Sequence, residues 1–107
     1  MATAPLNTFK SVASELTTSE QVLYTVPAQT TAIVLLAQAA NVGDETSNVT
    51  FLTSESNTEL VKDFSIPVGD AGSLLEGKLV VETGETISAY ASTNNDLKIT
   101  VSILETR

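Results

Sequence analysis

The 107-residue sequence predicts an all-β domain, an antiparallel β-sandwich of about seven to eight strands. Two observations carry the prediction. Short apolar-rich runs recur at roughly regular spacing with Gly, Pro, Asn and Asp between them, the pattern of a sandwich rather than a bundle. The last run alternates strictly, Leu97, Ile99, Val101 and Ile103 against Lys98, Thr100, Ser102 and Leu104, the mark of a strand with one face in the core and one in water. Helix content near zero is expected. Strand order stays open between jelly-roll and immunoglobulin-like topologies, with a partly closed barrel as runner-up.

Taken in order, residues 1–7 read as a flexible N-terminal arm of small residues without periodicity, and residues 8–107 as a single sandwich domain. Phe9, Val12 and Leu16 lie in a Ser/Thr-rich run. Their spacing also fits a short helix, but Ser and Thr favour caps and turns, so a partly regular edge strand is preferred. Val22, Tyr24 and Val26 form a short alternating strand ended by Pro27, which can donate no ladder hydrogen bond. The apolar run Ala32–Ala40 reads as a long central strand, closed by Asn41-Val42-Gly43 and the polar loop Asp44–Ser47. Asn48–Ser54 is β-rich with Val49 and Phe51 on one face. Leu60, Phe64 and Ile66 mark a further strand before Pro67, with Lys62 breaking the alternation.

Val68–Gly72 reads as a loop. Ser73-Leu74-Leu75-Glu76 matches a capping box, although Gly77 allows at most one helical turn. Lys78–Glu82 is a strand, Thr83-Gly84-Glu85 a tight turn, Thr86–Ala91 a strand and Asn94-Asn95-Asp96 another turn. If Ile87, Ala89 and Ala91 face inwards, Tyr90 faces out.

Composition narrows the function classes. With 42% hydrophobic and 17% charged residues the chain suits a folded domain, and 107 residues bury a core without a metal or disulfide. It has no Cys and no His, which removes thiolate nucleophiles, imidazole bases and the usual zinc sites. The Ser-His-Asp triad is out of reach, and no Ser-x-x-Lys spacing occurs. Asp44, Glu45, Asp70, Glu82 and Glu85 are carboxylates of the type a glycosidase pairs, but the chain has no Trp to stack on sugars. No DxDxDG calcium loop is present, and Asn48-Val49-Thr50 matches a glycosylation acceptor by chance. No enzyme activity, cofactor or metal is therefore expected.

A net charge of −8 disfavours contact with nucleic-acid phosphates. No secretory signal or bilayer-length apolar run is visible, so a soluble chain made in the cytoplasm, without membrane contact, is expected.

The stretch LYTVPAQTTAIVLLAQAANVG, followed by GKLVVETGETISAYAS and LKITVSILE, resembles a group of small virion structural proteins of tailed phages, marine and cyanobacterial ones especially. The resemblance covers Val22 to Glu105. Its recognisable points are Tyr24-Thr25-Val26-Pro27, Asn41 and the Gly84-Glu85-x-Ile87 turn, where relatives often carry Gly-Asp. It implies a β-sandwich and a place on the virion, with the major capsid protein or other virion proteins as partners and self-association on the particle. It implies no catalytic residue. The role that fits best is a capsid decoration (cement) protein; a neck, tail or baseplate position and a host-glycan adhesion module are the alternatives. Expected partner contacts are Ala2, Thr3, Ala4, Pro5 and Leu6 of the arm, outward-facing Tyr90 as an aromatic anchor, and Leu104 as an exposed apolar residue.

Overall fold

A computed structural model describes residues 7–54 and 58–107. Its strands are β1 (Asn7–Glu15), β2 (Gln21–Thr25), β3 (Thr31–Asn41), β4 (Ser47–Thr53), β5 (Thr58–Ile66), β6 (Ala71–Ser73), β7 (Leu79–Val81), β8 (Thr86–Ala91) and β9 (Leu97–Thr106). They form two antiparallel sheets, one in the order β1-β9-β3-β6 with β7 also on β3, the other β2-β8-β4-β5. The chain is thus a β-sandwich, with nine strands among the described residues rather than seven to eight. The extra strand arises because β6 pairs with Gln38–Ala40 and β7 with Ala32–Val34, two halves of one position beside β3.

Pairing selects between the topologies left open by the sequence. Strands pair from the chain ends inwards: β1 with β9, β2 with β8, β3 with β6 and β7, and β4 with β5. This is a long hairpin rolled over so that its two arms alternate between sheets, the jelly-roll arrangement.

β3 is the central strand that the apolar run Ala32–Ala40 predicts. It pairs with β9 along nearly its whole length, and a bulge between Val34 and Leu36 keeps its inward phase. Ala32, Val34, Ala37 and Ala39 of β3 and Leu97, Ile99, Val101 and Ile103 of the neighbouring β9 line the inner surface, all fully buried. The opposite sheet contributes Val49, Phe51, Ile87 and Ala89, also fully buried. Phe51 is the one Phe of the core; small and branched aliphatics fill the rest.

Several local expectations are corrected. Residues Phe9–Glu15 belong to a fully regular strand, and Phe9 and Val12, an odd number of positions apart, lie on opposite faces. Val68–Gly72 is not all loop, because β6 begins at Ala71. The capping-box stretch forms no helix: Leu74 drops into the core and Gly77 takes a left-handed φ of 81°. On β5, two register shifts break the alternation that Lys62 interrupts, and Asp63 takes a left-handed φ of 51° there.

Candidate functional site

The described residues offer four places where a sandwich of this kind can do something beyond folding: a buried polar cluster between the sheets, a network at the loop end, an open groove, and the outer sheet surfaces.

The buried cluster is built on β9. Its inward phase runs through Leu97, Ile99, Val101 and Ile103 to Glu105, so the last inward side chain is a carboxylate, 3% exposed. Tyr24 of β2, in the opposite sheet, donates its hydroxyl to Glu105 Oε2. Lys10 of β1 approaches the same oxygen at 3.4 Å. The Tyr24 hydrogen bond, and then the charges of Lys10 and Arg107, hold the Glu105 carboxyl below the ordinary range against the opposing effect of burial. Burial, the hydrogen bond and the charge of Glu105 push the Tyr24 phenol above its ordinary value. The cluster ties the two sheets together.

The loop end is organised by Asn41. Its side-chain amide donates to the carbonyls of Glu45 and Ile66, both at 2.8 Å, while its Oδ1 accepts from the Gly43 amide. Its backbone bonds to Asp70 and Gly69, so one buried residue joins the β3–β4 and β5–β6 loops. Beside it, Thr93 Oγ1 lies 2.7 Å from both Ser47 Oγ and Asp96 Oδ2. Gly43 is required here by close approach, since a Cβ would lie 1.9 Å from Asp96 Oδ1. At the other end of the sandwich, the Val26 amide donates to the Glu85 carbonyl and the Gly84 amide to that of Val26. The recognisable segments Tyr24–Pro27 and Gly84–Ile87 are therefore hydrogen-bonded to each other.

The groove, about 470 Å³ and open to solvent, lies between β5 and the β6–β7 edge. Leu60, Val61 and Phe64 line one wall, Leu74, Leu75 and Leu79 the other, with Glu76 and Lys78 at its rim. Gly72 admits the Phe64 ring, whose Cε2 would sit 2.5 Å from an added Cβ.

On the outer face of the β1-β9-β3 sheet, Phe9, Leu104, Ile33 and Val80 stand in one cross-strand row. Phe9 and Val80 are exposed at 74% and 59%. Leu104 faces outwards as its phase requires, but it is half-buried between Phe9 and Ile33 rather than exposed. Tyr90 is half-buried on the outer face of the other sheet, opposite Thr50. The structure does not bring Tyr90 and Leu104 together, for they belong to different sheets. Ala2, Thr3, Ala4, Pro5 and Leu6 lie outside the described residues. Asp44, Glu45, Asp70, Glu82 and Glu85 occupy loops, and no described group of three or more acidic residues is placed to hold a metal ion. The Tyr24–Glu105 pair is the feature that sequence reasoning missed.

No family model matches the chain, and no curated protein matches it. Solved structures do. The chain is similar to one from the acidic stable capsid of Helicobacter pylori bacteriophage KHP30, at 12% identity and TM-score 0.62, over 97% of this chain and 92% of that one. It is similar to a chain of the Bacillus endospore appendages, a family of disulfide-linked pili, at 10% identity and TM-score 0.54, over 95% and 86%. It is also similar to a chain of the virus-like particle of extra small virus from the giant freshwater prawn Macrobrachium rosenbergii, at 10% identity and TM-score 0.52, over 99% and 81%. At such identities the likeness is one of fold.

Proposed function

We propose that the chain is a non-catalytic structural component of a phage virion, and specifically a capsid decoration protein that binds the outer shell and stabilises capsomer contacts. The observation that carries the reading is the likeness in fold, over nearly the whole length, between this jelly-roll and a chain of a phage capsid. Supporting it, the pilus and virus-like-particle chains of the same fold are also parts of assemblies made of many subunits. The polar chemistry of the chain is spent on tying sheets and loops together, through Glu105 and Asn41, and leaves no acid–base pair lining the groove other than Glu76 and Lys78 at its rim. The partners are the major capsid protein or neighbouring virion proteins, reached after synthesis in the host cytoplasm. Many copies on one particle compensate for weak individual contacts. A glycan-adhesion role is disfavoured because the exposed aromatics Phe9 and Phe64 lie on different sheets and make no common platform.

The test is immunogold labelling of purified particles with antibody raised against the recombinant chain. Gold over the heads is the expected result. Gold confined to neck or tail moves the chain to another virion position, and its absence from denatured particles on a blot overturns the virion reading.

A further inference from the structure

Exposed sheet edges are templates for pairing with another chain, and proteins blunt them with short strands, bulges, charges and interruptions. Three of the four edges of this sandwich are blunted in that way. β2 is five residues long and bulged between Val22 and Tyr24. β5 shifts register twice, carries Glu59, Lys62 and Asp63, and is kinked at Asp63. The fourth strand position of the β1 sheet is cut into the three-residue pieces β6 and β7.

β1 is different. It runs for nine residues without Gly or Pro and pairs with β9 in nine consecutive steps without a shift. Among the described residues, no strand lies on its other side. The Gln21 side chain covers only its last residues, donating to the Glu15 carbonyl and accepting from Ser14 Oγ. Lys10, the one cation on the strand, lies on its inward phase with its charge paired to Glu105, so the central outward residues Phe9, Ser11 and Ala13 carry no charge.

We propose that the free edge of β1 pairs antiparallel with β1 of a second copy, about a twofold axis at Ser11, joining the two β1 sheets into one. Charge favours this place of contact. β1, β9 and Arg107 hold three basic residues (Lys10, Lys98, Arg107) and two acidic ones (Glu15, Glu105), a net of +1, so the remainder of each chain carries −9 of the total −8. Two such chains repel least where these edges meet.

Register follows from the strand itself. Outward residues must meet outward residues, so the axis passes through a residue rather than between two. An axis at Lys10 opposes two ammonium groups, which destabilises a sheet. An axis at Val12 forfeits two of the nine pairs. The axis at Ser11 keeps all nine, with Phe9 opposite Ala13, Lys10 opposite Val12, and Asn7 opposite Glu15. It also covers part of the Phe9 ring, the most exposed large apolar side chain described.

The natural chain has no Cys, so single-cysteine variants report the register directly. Ser11→Cys places two thiols across the axis, where opposed Cα atoms about 4.5–5.5 Å apart suit a disulfide. In Ala13→Cys the two thiols sit four residues out of step, about 14 Å apart. With oxidised glutathione as oxidant, the purified full-length S11C chain is expected to lose its monomer band to a linked dimer. A13C alone keeps its monomer band, and A13C mixed with F9C yields the mixed dimer. Equal cross-linking of S11C and A13C, or no cross-linking of S11C in folded protein at its highest soluble concentration, overturns the proposal. The assay uses free chain, so it succeeds or fails independently of where the protein sits on a particle.

Discussion

Replacing Tyr24 by Phe tests whether the Glu105 cluster holds the two sheets together. The ring stays, so packing is preserved, and the change removes one hydrogen bond to a carboxylate that is 3% exposed. Hydrogen bonds to charged groups contribute about 1.5–3 kcal/mol. Lys10 remains near Glu105, but its side chain is 47% exposed, and such a pair contributes ~1 kcal/mol at most. The expected loss at neutral pH is therefore about 2 kcal/mol, or ~10 °C in Tm for a domain near this size.

The pH dependence separates this cause from a packing defect. The folded state holds the Glu105 carboxyl below its ordinary value of 4.5, chiefly through the Tyr24 hydroxyl. The stabilisation is thus fully present above pH 4.5 and is lost as pH falls through the lower, folded value. In Tyr24→Phe that depression shrinks, so there is less to lose on acidification. Urea unfolding of both proteins from neutral to acid pH should show the gap between them narrowing below pH 4.5, to the ~1 kcal/mol of a neutral hydrogen bond. A gap that stays constant with pH, or one under ~0.5 kcal/mol at neutral pH, refutes the reasoning.

Gly43→Ala should destabilise by about 1–3 kcal/mol in chemical denaturation, because its Cβ displaces the Asp96 carboxylate and with it the 2.7 Å contact to Thr93. Phe51→Ala empties the largest fully buried side-chain site and should cost about 3–5 kcal/mol, read as a lower urea midpoint with similar slope. Deleting Met1–Leu6 should leave the unfolding midpoint nearly unchanged, since its small residues without apolar periodicity offer little to a core, while weakening co-sedimentation with particles. Unfolding of that truncated chain would remove the arm from the list of partner contacts.

Much of the sandwich was legible where periodicity is local. The strict alternation from Leu97 to Ile103 gives both the existence and the inner face of β9, and Pro27 and Gly84 stop β2 and shape the turn before β8 for reasons that need no tertiary context. The strand order was not legible. Whether β1 pairs with β2 or with β9 depends on contacts across some ninety residues, and alternation looks the same for every partner. The split of one strand position into β6 and β7 was hidden for a related reason. Leu74 enters the core between them, while its neighbours Ser73, Glu76 and Gly77 read locally as a cap and a turn.

The Tyr24–Glu105 pair shows where a readable signal was left unused. The inward phase of β9 does not stop at Ile103, for one further step of two reaches Glu105. A carboxylate at an inward position of a sandwich needs a donor or a cation, because burying it unpaired is far more costly than exposing it. Tyr24, inward on its own alternating run and equipped with a hydroxyl, was a candidate donor from sequence alone. Lys10 was not, since its inward direction depends on the nine-step register between β1 and β9. The same register leaves the other edge of β1 unpaired. The residue that completes the buried cluster is therefore also the one cation on the strand with the free edge.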